Sequence, residues 1–233
     1  MKAVILAGGL GTRLQPYTFF MPKSMLPLGN KPLLEHIVTW LGRNSVKDLV
    51  ICTSYLGKTI ENYFSDGNKF NAKIVYARSE RPLGTAGQLK SAEKFLDDTF
   101  LCIYGDSIYE FDPRRLVKAH KSKKALATMT LTKYSERLKY GFIDINGSKR
   151  VKSWNEKPEF SGLINIGCYA MEPEFLRYIQ KNSVAGMDKV FMKALKANKR
   201  IYGHVISDGF IDIGNKRSYM KAYKAYLAKL GRV

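Results

Sequence analysis

The chain has 233 residues, 45% hydrophobic and 25% charged, which suits one large globular domain with a real core and excludes a disordered or fibrous chain. No stretch approaches the ~20 consecutive apolar residues of a membrane span, and "MKAVILAGG" is too short to be a secretory leader, so it reads as a buried strand in a cytoplasmic protein. Lys and Arg total 39 against 20 Asp and Glu, a net charge of +19 that draws anions: nucleic acid, an acidic lipid surface or small phosphorylated substrates.

Short apolar runs alternate with helical patterns along the first half. Ala3–Leu6, Leu49–Thr53, Ile74–Ala77 and Phe100–Tyr104 have little polar alternation, so they read as strands buried on both faces. Between them the spacing predicts helices from Pro32, a good first-turn residue, with Leu33, Leu34, Ile37, Val38 and Leu41 on one side, over Lys58–Phe64, and over Ala86–Leu96. Such a βαβαβαβ order implies a mainly parallel sheet with helices on both faces. Beyond residue 105, Pro113–Lys123 looks helical and "ALATMTLTKY" (125–134) alternates as a strand. "GFIDI" (141–145) and "VKSWNEK" (151–157) read as a β pair around "NGSK", and "INIGCYAM" (164–171) as a further strand. Helices are expected at Glu174–Gln180 and Asp188–Lys196, a strand at Ile201–Ile206, and a closing helix near Ser218–Leu230. The expected shape is one α/β domain whose second half adds a β-rich lobe over the carboxyl edge of the sheet, where open α/β sheets bind ligands.

Three cysteines, Cys52, Cys102 and Cys168, each sit in an apolar run and have no C-x-x-C spacing, so they read as core thiols. His36, His120 and His204 show no ligand spacing. The lysines are dispersed, and the tyrosines of "KAYKAYLAK" (221–229) are spaced for packing, so dedicated nucleic-acid binding is not expected.

The chemistry concentrates after the first strand. Gly8-Gly9-Leu10-Gly11-Thr12-Arg13 emerges at the carboxyl edge. Glycine lets backbone N–H groups approach an anion closely, Arg13 offers a planar charged fork for phosphate oxygens, and Lys23, stiffened by Pro22, adds a point charge. Neither the P-loop pattern nor G-x-G-x-x-G is present, since Leu14 stands where the third glycine belongs. Asp106 ends the apolar strand "FLCIYGD", well placed for a cation, and Asp212 lies between Ile211 and Ile213, where a carboxylate needs a partner.

The long string "LAGGLGTRLQPYTFFMPKSMLPLGNKPLLEH" closely resembles the signature of the sugar-1-phosphate nucleotidyltransferases, the nucleotide-sugar pyrophosphorylases. "PLGTAGQL" (82–89), "YGD" (104–106), "YG" (140–141), "EKP" (156–158), "LINIGCY" (163–169) and "FIDIG" (210–214) resemble the family's later landmarks in order. The resemblance implies a Rossmann-like, mostly parallel α/β sheet. About residues 1–110 would form a nucleotide-binding half and 111–233 a sugar-binding half, without the carboxy-terminal β-helix of longer relatives. It also implies attack of a sugar 1-phosphate oxygen on the α-phosphorus of a nucleoside triphosphate. The nucleophile is already anionic, so catalysis is positioning and charge neutralisation. Leu6, Ala7, Gly8, Gly9, Gly11, Thr12 and Arg13 would hold the triphosphate, while Thr85, Gly87 and Gln88 would face base or ribose. Lys23 would sit near the α-phosphate, and Asp106 and Asp212 would hold Mg²⁺. Tyr140, Gly141, Glu156, Lys157 and Asn165 would bind the sugar phosphate.

"PLGTAG" resembles the guanylyltransferase branch, so the expected pair is GTP with mannose or heptose 1-phosphate. Thymidylyl or uridylyl transfer to glucose or amino-sugar phosphates, and a catalytically silent regulatory relative, are the alternatives. The chain departs from the family at Phe210, often Trp, and at Asn215-Lys216, often Thr-Pro. A homo-oligomer stays open.

Overall fold

A computed structural model of the protein describes residues 1–229; Leu230 of the expected closing helix lies outside the described residues. The chain opens with β1 (Lys2–Leu6), followed by a loop of short 3-10 turns, the two-residue strands β2 (Pro27–Leu28) and β3 (Lys31–Pro32), and α1 (Leu33–Arg43). Pro32 stands just outside α1, in extended conformation. Next come β4 (Asp48–Thr53), α2 (Gly57–Phe64), β5 (Lys73–Arg78), α3 (Gly84–Ser91), β6 (Phe100–Tyr104), β7 (Ser107–Tyr109) and α4 (Pro113–Ser122). The second half adds β8 (Ala127–Arg137), β9 (Phe142–Ile145), β10 (Val151–Asn155), β11 (Glu159–Met171), α5 (Met187–Lys196), β12 (Ile201–Ile206), β13 (Phe210–Asp212) and α6 (Lys216–Lys229).

Seven strands form one sheet in the order β12-β8-β11-β6-β1-β4-β5. All run the same way except β11, which is antiparallel to both β6 and β8. The sheet is therefore the mostly parallel Rossmann-like one expected, and the second half continues it instead of standing wholly apart. Only the distal parts of β8 and β11 (about 132–137 and 159–164), with the β9–β10 hairpin between them, leave the sheet as an exposed ribbon. Since β8 runs the same way as β12 and the strands beyond β11, the ribbon at its far end projects past the carboxyl edge.

The period-two geometry of β1 explains its apolar run: successive side chains go to opposite faces. Ala3 and Ile5 join Leu34, Ile37, Val38 and Leu41 of α1 and Ile60 and Phe64 of α2. Val4 and Leu6 join Ala86 and Leu89 of α3 and Val190, Phe191 and Ala194 of α5. A third cluster seats the glycine loop: Leu14 and Leu26 pack with Ile213 and with Tyr219 and Ala222 of α6. The tyrosines of α6 therefore do pack, as their spacing suggested.

Two expected helices are different. The pattern over Ala86–Leu96 breaks at Ala92 into a 3-10 turn, Glu93–Phe95. Glu174–Gln180 is likewise a 3-10 turn, Pro173–Tyr178, opened by a proline after β11. In both, the apolar spacing is satisfied by one or two tight turns against the core, which a 3.6-residue pattern does not distinguish over so few residues.

The three cysteines are free and buried. Burial pushes the Cys52 and Cys168 thiols up to about 12, and Cys102 well above its ordinary value. All three should stay silent to an aromatic disulfide reagent at pH 8 and react together once denaturant unfolds the sheet. Fast reaction of any one in the native protein would show that its strand is not packed as described.

Candidate active site at the carboxyl edge

The loops after β1 and β6 meet at the carboxyl edge because their backbones are tied to the strands. Ala7 N–H donates to Cys52 O at 3.0 Å and Gly105 N–H to Leu6 O at 3.0 Å. Between them lies a cavity of about 240 Å³, lined by Leu6, Ala7, Gly9, Gly11, Thr12, Arg13, Lys23, Ser24, Thr85, Gln88, Tyr104, Gly105, Asp106 and Gly214.

The three glycines of the loop have three different reasons. A Cβ on Gly9 would meet no protein atom, so nothing in the protein requires its bare backbone; what it leaves is open space beside the cavity. Gly11 has φ 64°, and a Cβ there would lie 2.9 Å from Lys23 Cβ and from Thr18 Cγ2. It is held by Thr18 Oγ1, which donates to Gly11 O at 2.9 Å. Gly8 does not line the cavity: its N–H donates to Gln88 Oε1 at 2.8 Å, and a Cβ would crowd Gln88 and Ser54.

The charged groups converge. Lys23 Nζ and Asp106 Oδ2 form an ion pair at 2.6 Å, with side chains 10% and 34% exposed, far more shielded than a surface pair. Arg13 is exposed beside them and makes no ion pair among the described residues. Ser24 lines the same cavity, and its buried hydroxyl has no partner.

Asp212 reaches this end through the antiparallel pair of β13 with β7, which sets it opposite Ser107, the residue after Asp106. Contrary to the expectation from its apolar neighbours, Asp212 is exposed, and Ile213 is the buried residue. At Gly214 a Cβ would fall 2.9 Å from Asp212 Oδ2, so the bare backbone there leaves room for the carboxylate. Two carboxylates offering only oxygen fit a hard divalent cation that keeps water and phosphate as its other ligands. Among the described residues no group of three or more His, Cys, Asp or Glu gathers into a fuller cage.

The other expected residues divide. Thr85 Oγ1 accepts from Met187 N–H at 2.8 Å, which pins α3 to α5. Gly87 lies off the cavity, and its bareness serves packing, since a Cβ would collide with Ser183 O. Asn165 connects to the cavity indirectly: Nδ2 donates to Tyr169 OH at 2.7 Å, and Tyr169 OH donates to Tyr104 OH at 3.2 Å. Burial holds the Tyr104 phenol above its ordinary value. Tyr140, Gly141, Glu156 and Lys157 cluster on the exposed ribbon, outside the cavity lining. Trp154 Nε1 donates to Glu156 Oε2 at 2.9 Å, and Lys157 stands 3.8 Å from Glu156. Ser24, Tyr104, Gly105 and Gly214 also line the cavity, beyond the residues expected from the sequence. The last three lie within "YGD" and "DIG", where position beside an aspartate was the available signal.

Residues 2–229 match the family described as "Nucleotidyl transferase". A D-glycero-alpha-D-manno-heptose 1-phosphate guanylyltransferase of Aneurinibacillus thermoaerophilus is 34% identical over 96% of the chain and 97% of its own length. A mannose-1-phosphate guanyltransferase of Yarrowia lipolytica is 34% identical over 100% of the chain and 66% of its own length. A UTP--glucose-1-phosphate uridylyltransferase of Synechocystis is 32% identical over 98% and 64%. The chain thus spans about two thirds of the length of these last two. Among solved structures, HddC from Yersinia pseudotuberculosis complexed with GMP-PN superposes with a TM-score of 0.77 at 28% identity, covering 97% of this chain and 99% of that one.

Gly11→Ala tests the loop. With φ positive and its Cβ pressed on Lys23 and Thr18, it should cost about 1–3 kcal/mol in urea unfolding and weaken binding of a nucleoside triphosphate more than tenfold. Gly9→Ala, which meets nothing in the protein, should leave stability within about 1 kcal/mol while still weakening nucleotide binding. Unchanged nucleotide binding in Gly9→Ala would contradict a role for Gly9 in ligand approach.

Proposed function

The chain belongs to the nucleotidyl transferase family, and on that footing we propose that it transfers a nucleotidyl group from a nucleoside triphosphate to a sugar 1-phosphate, releasing pyrophosphate. The observation that carries this reading is the joining of Arg13, Lys23 and Asp106 with the bare backbone of Gly9 and Gly11 in one carboxyl-edge cavity.

The residues divide the work by charge. Gly9, Gly11 and Thr12 present backbone N–H groups to the triphosphate, with Leu6, Ala7 and Gly8 fixing the loop behind them. Arg13 forks onto the departing pyrophosphate. Lys23 leaves Asp106 to meet the α-phosphate, where negative charge builds as the new P–O bond forms and the bond to pyrophosphate breaks. The attacking phosphate oxygen carries no proton at neutral pH, so no side chain has to act as a base. Asp106 and Asp212 would hold a divalent cation, which we assign as Mg²⁺; when bound, it supplies neutralisation of phosphate charge. Thr85 and Gln88 shape the nucleoside end, and Gly87 acts behind them by letting α3 pack closely on Ser183. Tyr140, Gly141, Glu156 and Lys157 take the sugar phosphate from the ribbon, and Asn165 steadies that side through Tyr169. Residues 1–110 then act as the nucleotide-binding half and 111–233 as the sugar-binding half of a single domain.

GTP with heptose or mannose 1-phosphate is the pair we favour. Its support is the heptose-phosphate relative matched over nearly its full length and the likeness to a protein solved with GMP-PN. Uridylyl transfer to glucose 1-phosphate is the second reading, favoured by the Synechocystis relative. A silent relative would be expected to lack one of the charged groups, and Arg13, Lys23, Asp106 and Asp212 are all present.

Pyrophosphate release tests the proposal, with each nucleoside triphosphate against mannose, heptose, glucose and N-acetylglucosamine 1-phosphates. Turnover is expected with at least one pair, GTP with heptose or mannose 1-phosphate first. Asp106→Asn and Lys23→Ala should each lower kcat by about 10²–10³ with native circular dichroism retained. No turnover with any pair would reject the activity, and near-normal rates in either variant would reject the roles.

A further inference from the structure

The cavity lining includes charged residues, Arg13, Lys23 and Asp106, and neutral ones, among them Leu6, Ala7, Thr85 and Gln88. On the proposed function the phosphates meet the first set and the nucleoside the second, which is the nucleoside end. In that second set and the loop behind it the polar groups are mostly committed. The Gly8 N–H is spent on Gln88 and the Thr85 hydroxyl oxygen accepts from Met187 N–H.

Gln88 is different, because the partner of one half of its amide dictates what the other half offers. A backbone N–H can only donate, so the atom 2.8 Å from Gly8 N has to be the amide oxygen. The side chain is 5% exposed and cannot turn over without leaving that N–H unpaired. Its Nε2 has no protein acceptor among the described residues, and it is not sealed off as the unpaired hydroxyls of Ser24, Ser54 and Thr130 are. Gln88 therefore presents a fixed pair of N–H donors, and no acceptor, to the nucleoside end.

We propose that Gln88 selects the base by donor polarity: its Nε2 donates to a ring carbonyl, O6 of a 6-keto purine or O4 of a 4-keto pyrimidine. The amino group of adenine or cytosine at the same place sets donor against donor and leaves both unpaired. The inference rests on the nucleotidyl-transfer reading for its placement of the triphosphate. It adds which half of the bases the site accepts and the atom that does the sorting. Guanine and uracil both satisfy it, so the choice between purine and pyrimidine is made elsewhere in the cavity.

Binding without sugar phosphate is the test, by calorimetry in Mg²⁺ buffer. With the wild-type chain, GTP should bind about tenfold or more tighter than ATP, and UTP than CTP, in whichever of the two pairs binds. Inosine triphosphate, which keeps O6, should bind with the GTP group, and 2-aminopurine riboside triphosphate, which lacks it, with ATP. Gln88→Glu keeps an oxygen for the Gly8 N–H and turns the other half into an acceptor. Its added negative charge lowers affinity for every triphosphate, so the readout is the keto-to-amino ratio, which should fall at least tenfold. An unchanged ratio in Gln88→Glu overturns the proposal, as does a wild-type chain indifferent to the exchange or preferring the amino base. If the variant does not fold, the analogue comparison on the wild-type chain decides alone. Keto selectivity in binding with no turnover on any sugar phosphate would leave this inference standing and remove the proposed reaction. Turnover with no base preference would do the reverse.

Discussion

Lys23 and Asp106 meet at 2.6 Å although 83 residues separate them, and bringing them together takes most of the fold. Asp106 is placed by β6, whose pairing with β1 delivers the end of "FLCIYGD" to the carboxyl edge. Lys23 is placed by a 3-10 turn in a loop anchored through Leu14 and Leu26 into a cluster with α6. An ammonium that is nine-tenths shielded needs an anion near it, and here that anion is a carboxylate a metal or phosphate chemistry would also use. The pair holds two opposite charges side by side in the cavity lining, each compensating the other.

That constraint accounts for features that otherwise look unrelated. Gly11, at a positive φ, stands where Lys23 and Thr18 leave no room for a side chain. The last helix packs tyrosines on the loop's underside, with Tyr219 OH donating to Pro27 O at 2.6 Å. β13 crosses to β7 so that Asp212 ends beside the residue after Asp106. The net charge of +19 sets the sign of the protein's overall field, whereas Lys23 and Asp106 in the cavity neutralise each other.

The parallel half was legible because its strands are buried on both faces and so carry almost unbroken apolar runs. β1, β4, β5 and β6 all lie where "AVIL", "LVICT", "IVYA" and "FLCIY" put them. The 3-10 turns were not legible: 12–25 folds as three of them because Leu14 and Leu26 find a cluster built partly from residues two hundred positions away. Asp212 was read as hemmed in by isoleucines, yet a strand alternates its faces, so Ile213 takes the core and the carboxylate takes solvent. The sequence pointed to Gly8 as part of a phosphate cradle. Its N–H is spent inside the protein on Gln88, a contact between residues 80 apart that no local pattern encodes. The motifs single out Tyr140, Glu156 and Lys157 but do not show that they stand on an exposed ribbon, which follows from the departure of β8 and β11 from the sheet.

The proposed function requires the cavity between the loops after β1 and β6 to hold the triphosphate. A crystal structure with a non-hydrolysable nucleoside triphosphate and Mg²⁺ measures that directly. Phosphate oxygens are expected within hydrogen-bonding distance of Arg13 and of the backbone N–H groups of Gly9 or Gly11, with Lys23 parted from Asp106. Phosphates bound elsewhere on the basic surface, with the Lys23–Asp106 pair undisturbed, would contradict it.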